Sequence, residues 1–550
     1  MNQENNSFNL VTEGWIPVTD LQGNYHLISL LEVFTNGKNY ADLVVRPHER
    51  VSLMRLLLCI SHAALDGPEN LEEWEKVPEV LPQAAKAYLE KWKDSFDLFH
   101  PEKPFLQIAK LNNDEKAKSS KASNDISKLD YALATGDNPT LFDHEGTNEK
   151  RIIPKEKVAL MLLTYQNFSV GGLIAMMKWN GVNTSTLKGT AKVPSSKTAP
   201  CAPRSMLHAF VRKDNIINTI HNNLPTKKQV QLCYGELEVY WGKPIWEHFP
   251  IGPKDIESIR NATTTYLGRL TPLSRSMKLD ETNHKLMLGD GLTYPAFTDD
   301  GKKSTPYHVP EPTATVKVTT TKDNKIEYTI LSYDSNMRIW RELSALCTKR
   351  EGRKGGPLCL ELVSSSNSFD FQVVALASNK ASILDMVDSI YHVPAQMLQD
   401  VGRSSYENEV RYAKSISIRL GRAIESYRKV SDGGWEGRVK SAGPSKGKLK
   451  AQLHSIATTH FWTTVENSLS VLMDHVKSIG TTAEQVDSTR KDWHKVVWSA
   501  ARESYELVCG RDTPRQMRAF AFGWQVLNKP EKAEEESNEE ENNNEEEDSL

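Results

Sequence analysis

The chain has 550 residues, 39% hydrophobic and 25% charged, the composition of a folded globular protein too long for one ordinary core. No apolar run approaches the ~20 residues of a membrane span, and the Asn-rich start carries no basic leader, so a cytoplasmic protein without membrane contact is expected. Six scattered cysteines exclude a disulfide framework or paired zinc-ligand spacing, and the formal charge of −3 contains −10 in the last twenty residues, which leaves +7 on the rest.

Residues 8–12 and 16–19 read as strands around Glu13-Gly14, and Ser29 is placed to cap a helix beginning at Leu30. Amphipathic spacing predicts helices over 51–65 and 82–99. Two polar stretches, 112–124 and 180–203, read as loops, the second carrying Lys188, Lys192 and Lys197. Alternation over 313–333 around Asp323-Asn324 predicts a hairpin. A second hairpin is predicted from 371–377 and 383–392, with Ser378-Asn379-Lys380-Ala381-Ser382 at its exposed tip.

Beyond Pro394 every periodic stretch is helical. Val410, Ala413, Ile416, Leu420, Ile424 and Tyr427 form one stripe, a second runs from Leu453 to Val476, and a third from Trp493 to Tyr505. Thr513-Pro514 opens a last helix bearing Met517, Phe520, Ala521 and Trp524. The expected class is α+β: a large mixed globular domain over 1–393, a four-helix bundle over 394–530 and an acidic tail over 531–550 with too few apolar residues to fold. The tail reads either as a solubilising extension or as a competitor of nucleic acid for the basic body.

Chemical motifs are sparse. Phosphate-loop, zincin, nucleophile-elbow and dinucleotide signatures are all missing, and Gly301-Lys302-Lys303-Ser304 lacks the glycine and strand that precede a phosphate loop. The fifteen histidines form no close ligand pair along the chain. No catalytic residue, metal or organic cofactor is assigned.

What remains is a set of strings in fixed order: Trp15-Ile16-Pro17-Val18, His100-Pro101-Glu102-Lys103-Pro104-Phe105-Leu106-Gln107, Leu141-Phe142-Asp143-His144 and Asn379-Lys380-Ala381-Ser382-Ile383. Together with Phe210-Val211-Arg212, Thr219, Asn223-Leu224 and the terminal helices, they resemble the large subunit of Cascade, the type I-E CRISPR surveillance complex, in the family called CasA. The resemblance implies a non-catalytic subunit for antiviral defence that reads the PAM in double-stranded target DNA, wedges the duplex open for guide pairing and helps recruit a helicase-nuclease. It implies guide RNA, the small-subunit dimer and the backbone subunits as further partners.

The same resemblance assigns site residues. Phe142, Asp143 and His144 match a PAM-reading loop. Gly171 and Gly172 match a glycine loop whose missing Cβ atoms admit backbone to the minor groove, with helix packing as the other reading of the pair. Arg275 or Lys278 matches a basic finger drawn to the negative potential of that groove. Asn379, Lys380 and Ala381 match the wedge, with Lys380 acting by bulk and charge. Lys349, Arg350, Arg353 and Lys354 form a further basic patch for nucleic acid. A scaffold without DNA readout and a metal-dependent nucleic-acid enzyme are the alternatives from other classes.

Overall fold

The computed structural model describes residues 7–113, 124–133, 153–170, 177–184, 199–234, 239–280, 285–294, 311–320, 326–334, 337–351, 354–364, 366–379, 382–431 and 444–529, with backbone alone for 318–320, 326–327 and 444–451. Contacts divide the chain into two units, Met1–Gln399 and Asp400–Leu550. Among the described residues no helix is long and apolar enough to cross a membrane.

The first unit opens with a three-stranded antiparallel sheet, Ile16–Asp20 lying between Tyr25–Ile28 and Tyr40–Leu43. Trp15, Ile16 and Val18 are buried in it, and the Trp15 indole N–H donates to the Leu10 carbonyl at 3.0 Å. That bond, with the Leu10 N–H on the Phe96 carbonyl, curls the chain before Gly14 into a turn where a strand was expected. Ser29 caps the Leu30–Asn36 helix as expected, accepting from the Glu32 N–H at 3.2 Å.

The next helix runs Pro47–Leu65, and from His48 to His62 it is buried on every side rather than amphipathic. Such a helix belongs at the centre of a large core. It brings in Arg55, whose guanidinium meets the Glu311 carboxylate and the Arg269 and Leu270 carbonyls out of reach of solvent. The following helix is Leu71–Lys91, not 82–99: Asn70 caps it, and Pro78 and Pro82 lie inside. Burial of Val77, Leu81, Ala85 and Leu89 along one stripe keeps the helix continuous through both prolines. Asn180-Gly181, expected within a loop, is the two-residue turn joining strands Met177–Trp179 and Val182–Asn183. Both turn residues have positive φ, 48° and 77°, as this type of hairpin requires. The hairpin expected over 313–333 forms from Val316–Thr320 and Ile326–Ile330.

Three histidines of this unit, His48, His62 and His208, are shut away from water. Burial lowers their pKa values to about 4, about 3 and about 4, from the usual 6.5. The unfolded chain therefore binds three protons below pH 6.5 that the folded unit refuses until about pH 4. Their stabilising contribution is complete above pH 6.5 and falls as the pH drops, by up to ~4 kcal/mol per pH unit for three protons. Thermal melts from pH 8 to pH 4 should show a Tm that is flat to about 6.5 and declines below it. A Tm unchanged down to pH 5 would refute burial of these rings in neutral form.

The second unit consists of Asp400–Ser431, Pro444–Asn467, Leu469–Ser478, Ala483–Val508 and Pro514–Asn528. These are five helices among the described residues rather than four, because the second rod breaks at Ser468 (φ −105°, ψ 18°). Ala413, Ile416, Leu420 and Tyr427 pack with Trp493, Val497, Ala500 and Tyr505 in the core of the unit. In the last helix the buried face is Ala519, Gly523 and Leu527, while Met517 and Ala521, expected inside, are exposed. A Cβ on Gly523 would lie 2.0 Å from the Tyr505 hydroxyl and 2.7 Å from the Ala423 carbonyl oxygen, so the glycine sets this helix's closest approach and its phase.

Candidate nucleic-acid interface

The hairpin carrying the expected wedge pairs Phe369–Asn379 with Ser382–Val393 in antiparallel register, from Phe369↔Val393 to Asn379↔Ser382. On its other side the first strand pairs with His208–Arg212, from Asp370↔Arg212 to Val374↔His208. Phe371, Val373, Val374 and Ala375 are completely buried, and burial persists to Ala377. Ser205 then fastens the strand, its hydroxyl accepting the Ser378 N–H at 2.9 Å. One residue later, Asn379 is exposed. The inner strand is thus packed almost to its end, while the outer strand is largely exposed. Along the outer strand, Asp388 accepts from Gln372 at 2.7 Å and Asp385 from the Tyr333 hydroxyl at 3.3 Å, so both carboxylates are engaged. Lys380 and Ala381 lie outside the described residues.

A second construction is built on Gln166, buried near the end of the Lys155–Phe168 helix. Its amide N–H₂ donates to the Leu106 and Arg275 carbonyls, each at 3.0 Å, and its oxygen accepts the Arg275 N–H at 2.9 Å. Gln107 acts in parallel, donating to the Leu98 carbonyl and accepting the Leu279 N–H at 2.8 Å. The Ile108 N–H bonds the Met277 carbonyl. The buried Leu106-Gln107 end of the His100 to Gln107 string therefore clamps the strand Arg275–Leu279, while Pro101, Glu102 and Lys103 are exposed.

That strand does not present Arg275 as a finger. Arg275 is 2% exposed, donates to the Val170 carbonyl at 2.8 Å and lies 3.7 Å from the Asp290 carboxylate. Reaching a groove would require giving up these contacts and taking a guanidinium out of a formed core, so the expectation is corrected to a positioning role. Lys278, half-buried on the same strand, is the residue of the pair that reaches the surface. Arg350 of the proposed basic patch is likewise structural, donating to the Gly356 carbonyl at 2.7 Å and to the Ala314 carbonyl.

Val170 is the residue before Gly171. While Arg275 holds its carbonyl, its N–H donates to the Tyr131 hydroxyl at 3.3 Å, and that hydroxyl donates to the Phe168 carbonyl at 3.0 Å. Burial beside Tyr165 pushes the Tyr131 phenol well above its usual pKa, so the proton needed for this bond stays in place. Nearby, the Ala199 and Cys201 N–H groups bond the Ser169 and Asn167 carbonyls. The stems of three segments, following Tyr131, following Val170 and preceding Ala199, are thereby tied to one place. Phe142, Asp143, His144, Gly171 and Gly172 belong to the segments that leave these stems and lie outside the described residues. The sequence reading missed Tyr131, Gln166 and Arg275 as anchors, because buried side chains bonding distant backbone leave no local pattern.

One group among the described residues has the makings of a metal site: Cys201, His208 and Glu311, with ligand atoms within 4.8 Å of one another. Protein partners already surround it. Glu311 is balanced by Arg55, the His208 ring bonds the Cys201 carbonyl and the Thr313 hydroxyl, and burial pushes the Cys201 thiol up to about 12. No metal step is built on it.

A family model described as CRISPR-associated protein Cse1 matches residues 9–504. The chain belongs to this family. The CasA/Cse1 protein of Thermus thermophilus is 26% identical over 439 residues, 77% of this chain and 78% of that one. The Cse1 structure of Thermobifida fusca is similar with a TM-score of 0.70 at 18% identity, covering 96% of this chain and 99% of that one. A chain of a structure titled CRISPR RNA-guided surveillance complex is similar at TM-score 0.64 and 16% identity, covering 95% and 99%. At those identities the structural likeness carries the fold. The Cse1 family match takes in the Gln107 and Gln166 clamps and the whole hairpin, and ends before the Pro514 helix and the acidic tail.

Proposed function

We propose that this chain is the large subunit of an RNA-guided CRISPR surveillance complex, where it recognises the PAM in double-stranded DNA, opens the adjacent base pairs and helps recruit a helicase-nuclease. Family membership supports the place in the complex. The observation that carries the DNA reading is the hairpin, whose inner strand is buried to Ala377, fastened at Ser378 and exposed at Asn379. A wedge must resist the stacking it disrupts, and a strand packed between two neighbours transmits that load into the core. The tied stems after Tyr131 and Val170 suit the second requirement, loops that meet DNA from a fixed base.

In this scheme the basic surface captures duplex DNA through its phosphates, with strong salt dependence. The Phe142–His144 and Gly171–Gly172 segments and Lys278 read the PAM, and the hairpin enters beneath it. Guide RNA pairs with the freed strand while the small-subunit dimer and backbone subunits hold the complex together. The chain's own part is binding and separation, with no bond made or broken and no cofactor.

The test is to assemble the guide-loaded complex with and without this chain and titrate duplex targets carrying a PAM library beside pre-opened targets. The expected result is that the chain is required for duplex targets, in a flank-dependent way, and dispensable for pre-opened ones. Equal binding of both targets without the chain would reject DNA reading and favour the scaffold role.

A further inference from the structure

The exposed face of the Pro514–Asn528 helix is basic and has no carboxylate of its own. Arg515, Arg518, Phe522 and Lys529 follow one another at three-, four- and seven-residue steps, which places them on one side, with buried Leu527 on the opposite one. Arg511 extends the row just before the helix. Over residues 510–529 there are four cations against the single carboxylate of Asp512, a net +3.

Two of these arginines lie over aromatic rings. Arg511 lies over Phe520 with 4.6 Å to the ring centroid, and Arg518 over Phe522 with 5.7 Å. On the adjoining helix Arg502 lies over Trp498 at 5.6 Å. Glu506 approaches Arg511 only to 4.0 Å, with both side chains about half exposed, and Glu503 accepts from Ser499. Stacking on a ring holds a guanidinium in place without neutralising its charge, which suits a polyanion.

The chain supplies such a polyanion next door. Residues 531–550 contain eleven acidic residues and one lysine, and only Lys529 and Pro530 separate them from the helix end at Asn528. From there back to Arg515 is about 20 Å along the helix, a span that about six extended residues cover. Twenty residues reach the whole row.

We propose that the acidic segment 531–550 docks on the Arg511–Arg515–Arg518 face of its own bundle and shields that face from other polyanions. Docking stands apart from PAM reading; only its consequence, that DNA must displace the tail, rests on the nucleic-acid function above. The interaction is electrostatic and loses most of its strength between ~0.05 and ~0.5 M salt as the screening length contracts.

Spin labels on Ser549→Cys and Gln525→Cys in the full chain measure docking directly. The expected result is a short, narrow distance distribution at ~0.05 M salt that broadens at ~0.5 M and broadens equally in the Arg515→Glu/Arg518→Glu variant, whose altered side chains are exposed and leave the fold intact. A distribution that is broad at low salt and indifferent to that variant overturns the proposal. Duplex titration of a chain ending at Pro530 then separates the two ideas: about tenfold tighter binding at low salt is expected if DNA competes with the tail. A narrow distance with unchanged DNA affinity supports docking and removes DNA as the competitor.

Discussion

Replacing Lys380 with alanine should weaken capture of duplex target by the guide-loaded complex about 10- to 100-fold while leaving a pre-opened target bound as before. Opening one base step costs a few kcal/mol, and the residue at the hairpin end has to return a share of that, about 1.4 kcal/mol for each factor of ten. Lysine brings length and a positive charge beside the phosphates, but it accepts no hydrogen bond from a base. Lys380→Gln keeps much of the length and removes the charge, whereas Lys380→Glu reverses the charge. If bulk dominates, glutamine resembles lysine and the two share one salt dependence; if charge dominates, glutamine resembles alanine and glutamate is worse. The buried strand behind Asn379 makes these comparisons clean, since substituting an end residue leaves Ala375 and Ala377 packed as they are. Equal losses on duplex and pre-opened targets would show that the hairpin binds DNA without separating it.

Legibility in the sequence followed locality. The hairpin was readable because its two strand-like runs lie within one stretch and the tip between them is polar. The Ser29 cap was readable for the same reason. The bundle's stripes were readable except where a backbone contact overrode hydropathy: Gly523 seats the last helix against Tyr505 and turns Met517 outward. Helix starts failed where proline was taken as a beginning, since burial of Val77 and Leu81 carries the helix through Pro78 and Pro82. The site residues divided similarly. A basic residue on a strand looks the same in sequence whether it faces DNA or a carbonyl, and only its burial against Val170 and Asp290 shows that Arg275 faces inward. The strings that carried the family resemblance are partly scaffold: Trp15, Ile16 and Val18 join the main core of the first unit, and Gln107 staples a strand more than 170 residues away. Such strings identify a fold because they build it.

Arg55 is the scaffold residue whose loss should cost most. Its guanidinium is fully buried against Glu311 and also holds the Arg269 and Leu270 carbonyls, the segment that leads into the Arg275 strand. Arg55→Met leaves a carboxylate in the core without its counter-charge, a loss on the order of 3–5 kcal/mol, and the melting transition of the first unit should fall accordingly. Glu311→Leu alone leaves the guanidinium uncompensated and should cost a comparable amount. The double replacement removes both charges and should recover most of the loss, retaining roughly 1–3 kcal/mol for the carbonyls that Arg55 no longer satisfies. Losses that simply add in the double variant would mean that the two groups act separately and that the pair is not what the core requires. The same series reports on function, because Arg269 and Leu270 lead into the strand of Arg275, which holds the Val170 carbonyl. Arg55→Met at a temperature where the unit remains folded should therefore weaken duplex binding more than binding to a pre-opened strand, and the double replacement should restore the difference.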